Sequence, residues 1–549
     1  MKKKGDSKAF HSTDFEVHRN WLAITHSLPI SKWYIEDTSE WTLDYPPFFA
    51  WFEKLLSFFG AMVDPAMVQV DNLEHASTAT VYFQRSTVIV SELVLFWALQ
   101  RMLAVMGNRP LQKLINWSLF LNPGLLMVDN MHFQYNGFLY GILIHSLVDA
   151  KQGKLLRSGI LFAVLLNFKH IFLYIAPSYF VFLLRAYCFE NSENSIRARS
   201  WISAFRPTRL IILGLSVVAV FALSLGPFVA MHQIPQLVTR LFPFKRGLTH
   251  SYWAANLWAL YSFVDRLLIL VASKTPLGKL WNLSVDPSAL SATTRGLVGD
   301  TAFGVLPAVT AQHTLMVTVA LMLPSLVVLF RRPTFDRFVG SLTLSAFASF
   351  LAGWHVHEKA ILLVTVVMSV ALANKVGTSP NAGAGAGALA RENGQQQMLS
   401  QRDVRAFLIV SLAGYVGLWP LFFTRAETPI KVGITVAWFV LVAGGLEQCT
   451  PRQANGVGAS PSIAAGSRSV LRQLTVLEQM YVVGFVPVQA YVLAVHGWVF
   501  GEDRMAFLPL MITSVYCAAG VVYGWLLYSY AFMESGMQAD KPKSKKKTR

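Results

Sequence analysis

An all-α polytopic membrane protein is the fold class this sequence predicts, and three observations carry it. Hydrophobic residues make up 54% of the 549 and charged residues only 14%, where ordinary soluble domains are about 25% charged. Mean hydropathy is +0.44. From residue 84 onward the chain is largely a succession of apolar runs, many near the 17 to 25 residues, roughly, that a spanning helix needs. No long stretch has mixed soluble composition, which excludes a large soluble domain.

The elements follow in chain order. Residues 1–10, MKKKGDSKAF, are basic with no apolar run behind them and do not read as a signal peptide. Residues 11–83 carry Asp14, Glu16, Arg19, Glu36, Asp37, Glu40, Asp44 and Glu53, which interrupt every window and keep this region out of the membrane. Within it, Trp51 to Met62 reads as an amphipathic helix on a surface, with Pro46 and Pro47 suited to its start. Spans are expected at 84–104, 114–131, 137–149, 156–173, 174–189 and 208–230, then at 304–330, 338–354, 359–374, 404–423, 430–447, 475–498 and 507–533. A weaker run at 254–273 contains Asp265 and Arg266 and is read as re-entrant or interfacial.

Charge sets the expected orientation. The net charge of +17 gathers in short turns (Lys151, Lys154, Arg157; Arg197, Arg199, Arg206, Arg209; Arg331, Arg332, Arg337) and in the tail KPKSKKKTR. Such clusters mark the cytosolic side, and they imply lipid headgroups or an anionic lipid-linked substrate as partners, not nucleic acid. About thirteen crossings result, with 1–83 and 231–303 luminal and the HVHEK turn within 304–374 luminal as well. Modules at 84–230, 304–374 and 404–533 are then joined by a flexible cytosolic linker at 375–403, and 534–549 is a basic cytosolic tail. The Gly-, Ser- and Pro-rich segment 448–473 reads as a second spacer. A luminal loop of this size needs a span ahead of it, so a further span upstream of residue 1 is expected. Three cysteines, Cys188, Cys449 and Cys517, form neither a disulfide framework nor a zinc cluster.

Under this topology the polar residues near membrane ends collect on the luminal side: Asp14, Glu16, Asp44, Asp129, His132, Gln134, Asn136, Lys169, His170, Arg240, Lys245, Arg246, His355, His357, Glu358 and Lys359. Ionisable groups in such places are functional candidates by default. An acid facing several cations suits group transfer from a phosphate-bearing lipid. The carboxylate takes a proton from an acceptor hydroxyl, and the cations hold the leaving phosphate. Neither HSTDFEVH nor HVHEK has a specific metal-ligand spacing.

Other readings stay open at this level. Asp14 also suits an N-cap, and Asp44 could hydrogen-bond its turn. Arg240, Lys245 and Arg246 could anchor an interface. Trp21, Trp33, Tyr34, Trp41, Tyr45 and Trp51 fit a membrane belt as well as a sugar groove, and His132 and Gln134 could satisfy one another's polar needs between helices.

A family resemblance rests on the same residues. TDFEVHRNWLAITHSLPISKWY followed by WTLDYPPFFAWFE resembles the first luminal loop of the endoplasmic-reticulum glucosyltransferases that use dolichyl phosphate glucose. The similarity continues in LNPGLLMVDNMHFQYNG (121–137), NFKHIFLYIAP (167–177), RLFPFKRGL (240–248) and WHVHEKAIL (354–362), in family order over most of 11–535. Members that add the first glucose carry patterns like GDFEAQRHW and GLDYPPLTA; this chain is similar instead to those that add the second.

The resemblance implies a GT-C fold and a metal-independent, inverting alpha-1,3-glucosyl transfer. The donor would be dolichyl phosphate glucose and the acceptor Glc1Man9GlcNAc2 on dolichyl pyrophosphate. It implies Asp14 as catalytic base, Glu16 as an acceptor-orienting group and His357 near the donor phosphate. His355, Lys359, Arg240 and Arg246 would contact phosphate or headgroup. KKTR at the end looks like a retrieval signal for the endoplasmic reticulum, and Asn282 in NLS is a candidate glycosylation site. The competing functions are first-glucose transfer to Man9GlcNAc2-PP-dolichol and, in a different class, lipid or solute transport. The latter would want internal repeats and polar residues through the midplane.

Overall fold

The computed structural model describes residues 12–190, 204–242, 247–249, 253–281, 283–286, 303–377, 400–422, 424, 426–449, 471–501 and 504–540. Lys245, Arg246, Asn282, the C-terminal KKTR and most of the two expected spacers lie outside the described residues. Among those described, regular structure is helical, and pairing between extended segments is confined to two isolated bridges, Phe189 with Phe205 and Thr249 with Val356.

Among the described residues, eight helices are long and apolar enough to cross a membrane: Thr78–Met106, His170–Tyr187, Pro207–Ala230, Ala311–Arg331, Gln401–Leu421, Glu427–Gln448, Val476–Phe500 and Leu508–Ser535. The chain is therefore an all-α, largely membrane-embedded, polytopic protein. The expected spans at 137–149, 156–173, 338–354 and 359–374 are helices over Asn136–Lys151, Leu155–Phe168, Phe335–Ala352 and Ile361–Gly377. The run at 254–273 is the helix Leu257–Lys274, whose buried Asp265 accepts from the amides of Gly304, Val305 and Leu306 at 3.0, 2.9 and 2.8 Å.

Two boundaries differ from the sequence expectation. The run 114–131 is not one helix. It ends at Phe120 because Pro123 has no N–H to continue the ladder. Asn122 Oδ1 instead accepts from the Gly124 amide (2.8 Å), and a π-helical turn follows at Leu126–Met131. The division between 156–173 and 174–189 falls earlier, at Lys169, which is extended (φ −149, ψ 119) between Phe168 and a 3-10 segment at His170–Ile175. Both breaks interrupt the helical ladder at the end of an apolar run, and both carry polar side chains, the buried Asn122 and Lys169.

The chain divides into two compact units. The first comprises 1–105, 125–173 and 187–243. Helices α1 (Thr13–Ser27), α2 (Pro47–Val63) and α3 (Thr78–Ser91) open it. Ser12, not Asp14, occupies the α1 cap position, and Asp14 and Glu16 fall in the first turn, where negative charge favours the helix dipole. Pro47 begins α2, as the double proline predicted. The core between these helices is aromatic: Phe15, Trp21, Trp33, Tyr34, Phe49, Phe133 and Tyr135 are buried together. At about 1.5 to 3 kcal/mol for each fully buried large apolar side chain, this cluster stabilises a region that contributes no spanning helix until α3. The other face of α2 leaves Trp51, Leu55, Phe58, Phe59 and Met62 exposed.

The second unit comprises 106–124, 174–186 and 244–549. Its helices meet through small polar residues: Ser341 Oγ lies 2.9 Å from Ser178 Oγ and 3.2 Å from Ser325 Oγ. Arg405 Nε donates to both oxygens of Glu478 at 2.9 Å, and Tyr523 donates to the same carboxylate at 2.7 Å. Satisfied polar pairs of this kind join helices where hydrophobic driving force is weak.

Candidate active site

The first unit brings Asp14 into a chain of buried polar side chains. Gln134 Nε2 donates to Asp14 Oδ2 at 2.7 Å, and His132 Nδ1 lies 3.4 Å from the same oxygen. Gln134 Oε1 in turn accepts from Asn136 Nδ2 (2.9 Å) and from Lys169 Nζ (3.4 Å). Lys169 Nζ also donates to Asn136 Oδ1 at 2.9 Å, and Asn136 Nδ2 donates to Asp129 Oδ1 at 2.7 Å. Asp129 Oδ2 closes the series by accepting from the Gly137 amide at 2.6 Å.

The two helix breaks build this arrangement. The π-helical turn carries Asp129, and the loop after it presents His132, Gln134 and Asn136. Phe133 in that loop has φ +85, a strained conformation for an aromatic residue. It is held by burial against Phe15 (5.6 Å between centroids) and by Arg85, which donates to the carbonyls of Asn130 and Met131. The extended backbone at Lys169 frees its side chain to reach the loop.

Burial sorts the carboxylates. Asp129 is wholly buried and its oxygens face Asn136 and Gly137, so it anchors the loop. Asp14 keeps 19% of its side chain accessible and is the more open of the two. Tyr45 lies beneath: its ring carries Lys169 Nζ at 4.9 Å from the centroid. Burial, and then the nearby carboxylates of Asp44, Asp14 and Asp129, push the Tyr45 phenol well above its ordinary value. Burial and the Asp44 charge do the same to Tyr34.

The remaining candidates sort differently. Glu16 engages Arg19 in a two-pronged pair (2.8 and 2.7 Å), and Arg19 also donates to the carbonyls of Met67 and Gln69 at 2.9 and 3.2 Å. Arg240 donates to the Tyr34 and Ile35 carbonyls at 3.2 and 3.3 Å, so it braces the first loop. His170 packs its ring against Tyr45 and Phe242.

In the second unit, His355 Nδ1 donates to the Gly247 carbonyl at 2.7 Å, its backbone N–H reaches the Leu248 carbonyl at 2.9 Å, and its ring lies 5.7 Å from that of His357. The HVHEK turn is thus tied to the end of RLFPFKRGL. His355 has φ +51, and Lys359 sits in the 3-10 turn Glu358–Ala360 that leads into Ile361–Gly377.

Sequence reasoning did not single out His18, Glu53 or Ser12, and met Tyr45 only within an aromatic series. Ser12 Oγ donates to the His132 carbonyl and joins the start of α1 to the loop. The i, i+3 spacing of Glu16 and Arg19 is a readable signal for their pairing; the contacts of Ser12 and Tyr45, made across the fold, have none.

The sequence profile of the ALG6, ALG8 glycosyltransferase family matches residues 7–380 and 396–528. A Gibberella zeae protein named Dolichyl pyrophosphate Glc1Man9GlcNAc2 alpha-1,3-glucosyltransferase is 47% identical over 527 residues, covering 95% of each chain. Proteins of the same name from Schizosaccharomyces pombe and Mus musculus are 43% and 40% identical, over 95% and 97% of this chain and 94% of each of theirs. With more than nine-tenths of its length matched at these identities, the chain belongs to the ALG6, ALG8 glycosyltransferase family.

Proposed function

We propose that this glycosyltransferase moves glucose from dolichyl phosphate glucose to Glc1Man9GlcNAc2-PP-dolichol with inversion, forming an alpha-1,3 linkage, with Asp14 as the base. The observation that carries the base is the Asp14 carboxylate itself, partly accessible, held by Gln134 at 2.7 Å with His132 at 3.4 Å. The acceptor's 3-hydroxyl oxygen attacks the anomeric carbon as its proton passes to Asp14. The bond from that carbon to the phosphate oxygen breaks, and dolichyl phosphate leaves with the electron pair. One displacement turns a beta-linked donor into an alpha product, and no nucleophile on the protein is needed.

Lys169, Gln134 and Asp129 hold the base in place, and Asp44 and Glu16 are assigned to the acceptor side. His355, His357 and Lys359, with Lys245 and Arg246, are assigned to the donor phosphate, since departure of that group is favoured by donors and cations set around it. The identity of 40% or more to proteins named for the Glc1Man9GlcNAc2 acceptor favours second-glucose transfer over the first.

The chain fits a GT-C scaffold in the endoplasmic-reticulum membrane with about thirteen crossings. The first loop and HVHEK face the lumen, the C-terminus is cytosolic, and the exposed apolar stripe of α2 lies in the membrane surface.

The test is Asp14→Asn, which keeps the acceptor for Gln134 but removes the base. Transfer by the purified full chain falls by about 100-fold or more, and cells dependent on this variant accumulate the Glc1Man9 lipid. Retained transfer would sink the base assignment; accumulation of the Man9 lipid would move the chain to the first glucose.

A further inference from the structure

One buried ionisable pair takes no part in the account above. His18 follows Asp14 by one helical turn, so the two share a face of α1. Its Nδ1 lies 2.7 Å from Glu53 Oε1 on α2. His18 is 2% exposed and Glu53 wholly buried, and Glu53 Oε2 has no hydrogen-bond partner among the described residues.

Such a pair is a poor device for stability alone. A carboxylate taken out of water with one oxygen unmatched is costly, and apolar residues of similar volume commonly fill the same space at no loss. Burial accordingly pushes the Glu53 carboxyl up, with the bond to His18 partly offsetting it.

The surroundings of His18 give the pair a use. Its ring packs against Phe133 at 5.3 Å and Tyr135 at 5.2 Å, the two residues flanking Gln134. Another part of its surroundings is Trp21 at 5.0 Å, Phe49 at 5.6 Å and Tyr45 at 6.5 Å. Tyr45 supports Lys169, which donates to Gln134 Oε1. His18 thus touches both supports of the amide that holds Asp14: the strained loop and the tyrosine under the lysine. An aromatic ring without a polar tie would be free to turn in this cage, whereas a ring tied at Nδ1 keeps one orientation.

We propose that His18, tied by Glu53, is a positioning residue for the transfer reaction, setting the 132–135 loop so that Gln134 orients Asp14. The proposal rests on the reading of Asp14 as base. It requires that loss of the tie lower the rate of the bound complex, because misplacement by about 1 Å costs on the order of 100-fold in rate while lipid binding elsewhere is untouched.

The full chain, purified in detergent, is assayed with dolichyl phosphate glucose and the Glc1Man9 lipid. His18→Phe keeps a ring and removes the tie; kcat falls about 10- to 100-fold and KM for both lipids stays within about twofold. Glu53→Leu does the same, and combining the two costs no more than either alone, since both break one tie. Glu53→Gln keeps a hydrogen-bonding partner for His18 and holds kcat within about threefold of wild type.

A folded His18→Phe enzyme with wild-type kcat, or with its whole defect in KM, overturns the proposal. So does equal loss in Glu53→Gln and Glu53→Leu. If His18→Phe aggregates, the Glu53 pair of variants decides alone. Asp14→Asn, run alongside, separates the two ideas: activity there removes the base reading itself, whereas an inactive Asp14→Asn beside a normal His18→Phe removes only the positioning role.

Discussion

Replacing Gln134 by leucine removes its three side-chain hydrogen bonds while leaving its neighbours joined to one another, and the cost of losing the one to Asp14 follows from the geometry. The bond lost to the base is the 2.7 Å donation to the Asp14 carboxylate; the bonds from Asn136 (2.9 Å) and Lys169 (3.4 Å) to Gln134 Oε1 go with it. A hydrogen bond to a charged group contributes about 1.5 to 3 kcal/mol. If that bond serves to hold the base in its reactive orientation, the loss enters the activation barrier, and at about 1.36 kcal/mol per tenfold kcat falls roughly 10- to 150-fold. The rest of the network persists, because Lys169 still donates to Asn136 at 2.9 Å and Asn136 still donates to Asp129 at 2.7 Å. The loop therefore stays folded, and the defect belongs in kcat and not in KM. The assay is transfer of radiolabelled glucose from dolichyl phosphate glucose to the Glc1Man9 lipid by purified enzyme, with both substrates varied and thermal stability measured in parallel. A stable Gln134→Leu enzyme with kcat within about twofold of wild type would refute the idea that this amide orients the base.

Two further predictions concern stability. Arg19 is wholly buried and donates to Glu16 and to two backbone carbonyls, so Arg19→Met strands a largely buried carboxylate. Breaking such a pair costs about 3 to 5 kcal/mol, taken at the lower end because Glu16 keeps some access to water. Thermal unfolding in detergent should move down by about 2 to 4 °C for a chain of 549 residues; a shift within error would show the pair to be dispensable. The second prediction is a pH dependence. Hydrogen bonds from Ser77, His75, Thr80 and the Ala66 amide hold the Asp64 carboxyl well below its ordinary value of 3.8. A carboxyl depressed on folding stabilises the native state above its unfolded pKa, and that contribution fades as pH falls toward the folded one. The gap in melting temperature between wild type and Asp64→Asn should therefore be widest near neutrality and narrow as pH drops below about 4. A constant gap would mean that the carboxylate charge contributes nothing.

How far this was readable beforehand depends on the range of the interaction. By residue pattern Asp14 suits an N-cap as well as a base, and only the family resemblance of TDFEVHRNW sets it apart from the other acids. Gln134, Asn136 and Lys169 could be gathered as polar groups at the ends of apolar runs, but their mutual bonds could not. Those depend on where the helices break, and hydropathy spoke for one run across 114–131 although Pro123 interrupts it. Arg240 is a case in which residue type left the local contacts open. Its charge near an aromatic turn fits a phosphate ligand or an interfacial anchor equally well, and only the fold reveals that its donors reach the carbonyls of Tyr34 and Ile35. His18 and Glu53 sit 35 residues apart on two helices; each alone is one polar position on an aromatic helix, and nothing local pairs them.

The charge balance of the network bears on where the donor phosphate is met. Around Tyr45 stand three carboxylates, Asp14, Asp44 and Asp129. The lysine beside them, Lys169, already spends its ammonium on Asn136, Gln134 and the Tyr45 ring. Such a site attracts a proton, which suits a base, but it repels a phosphate, and at short range in a medium of reduced dielectric that repulsion amounts to several kcal/mol, roughly. The same residues are therefore ill suited to both tasks. The proposed donor-phosphate contacts therefore fall on the other motifs, of which HVHEK is tied by His355 to the Gly247 carbonyl at 2.7 Å.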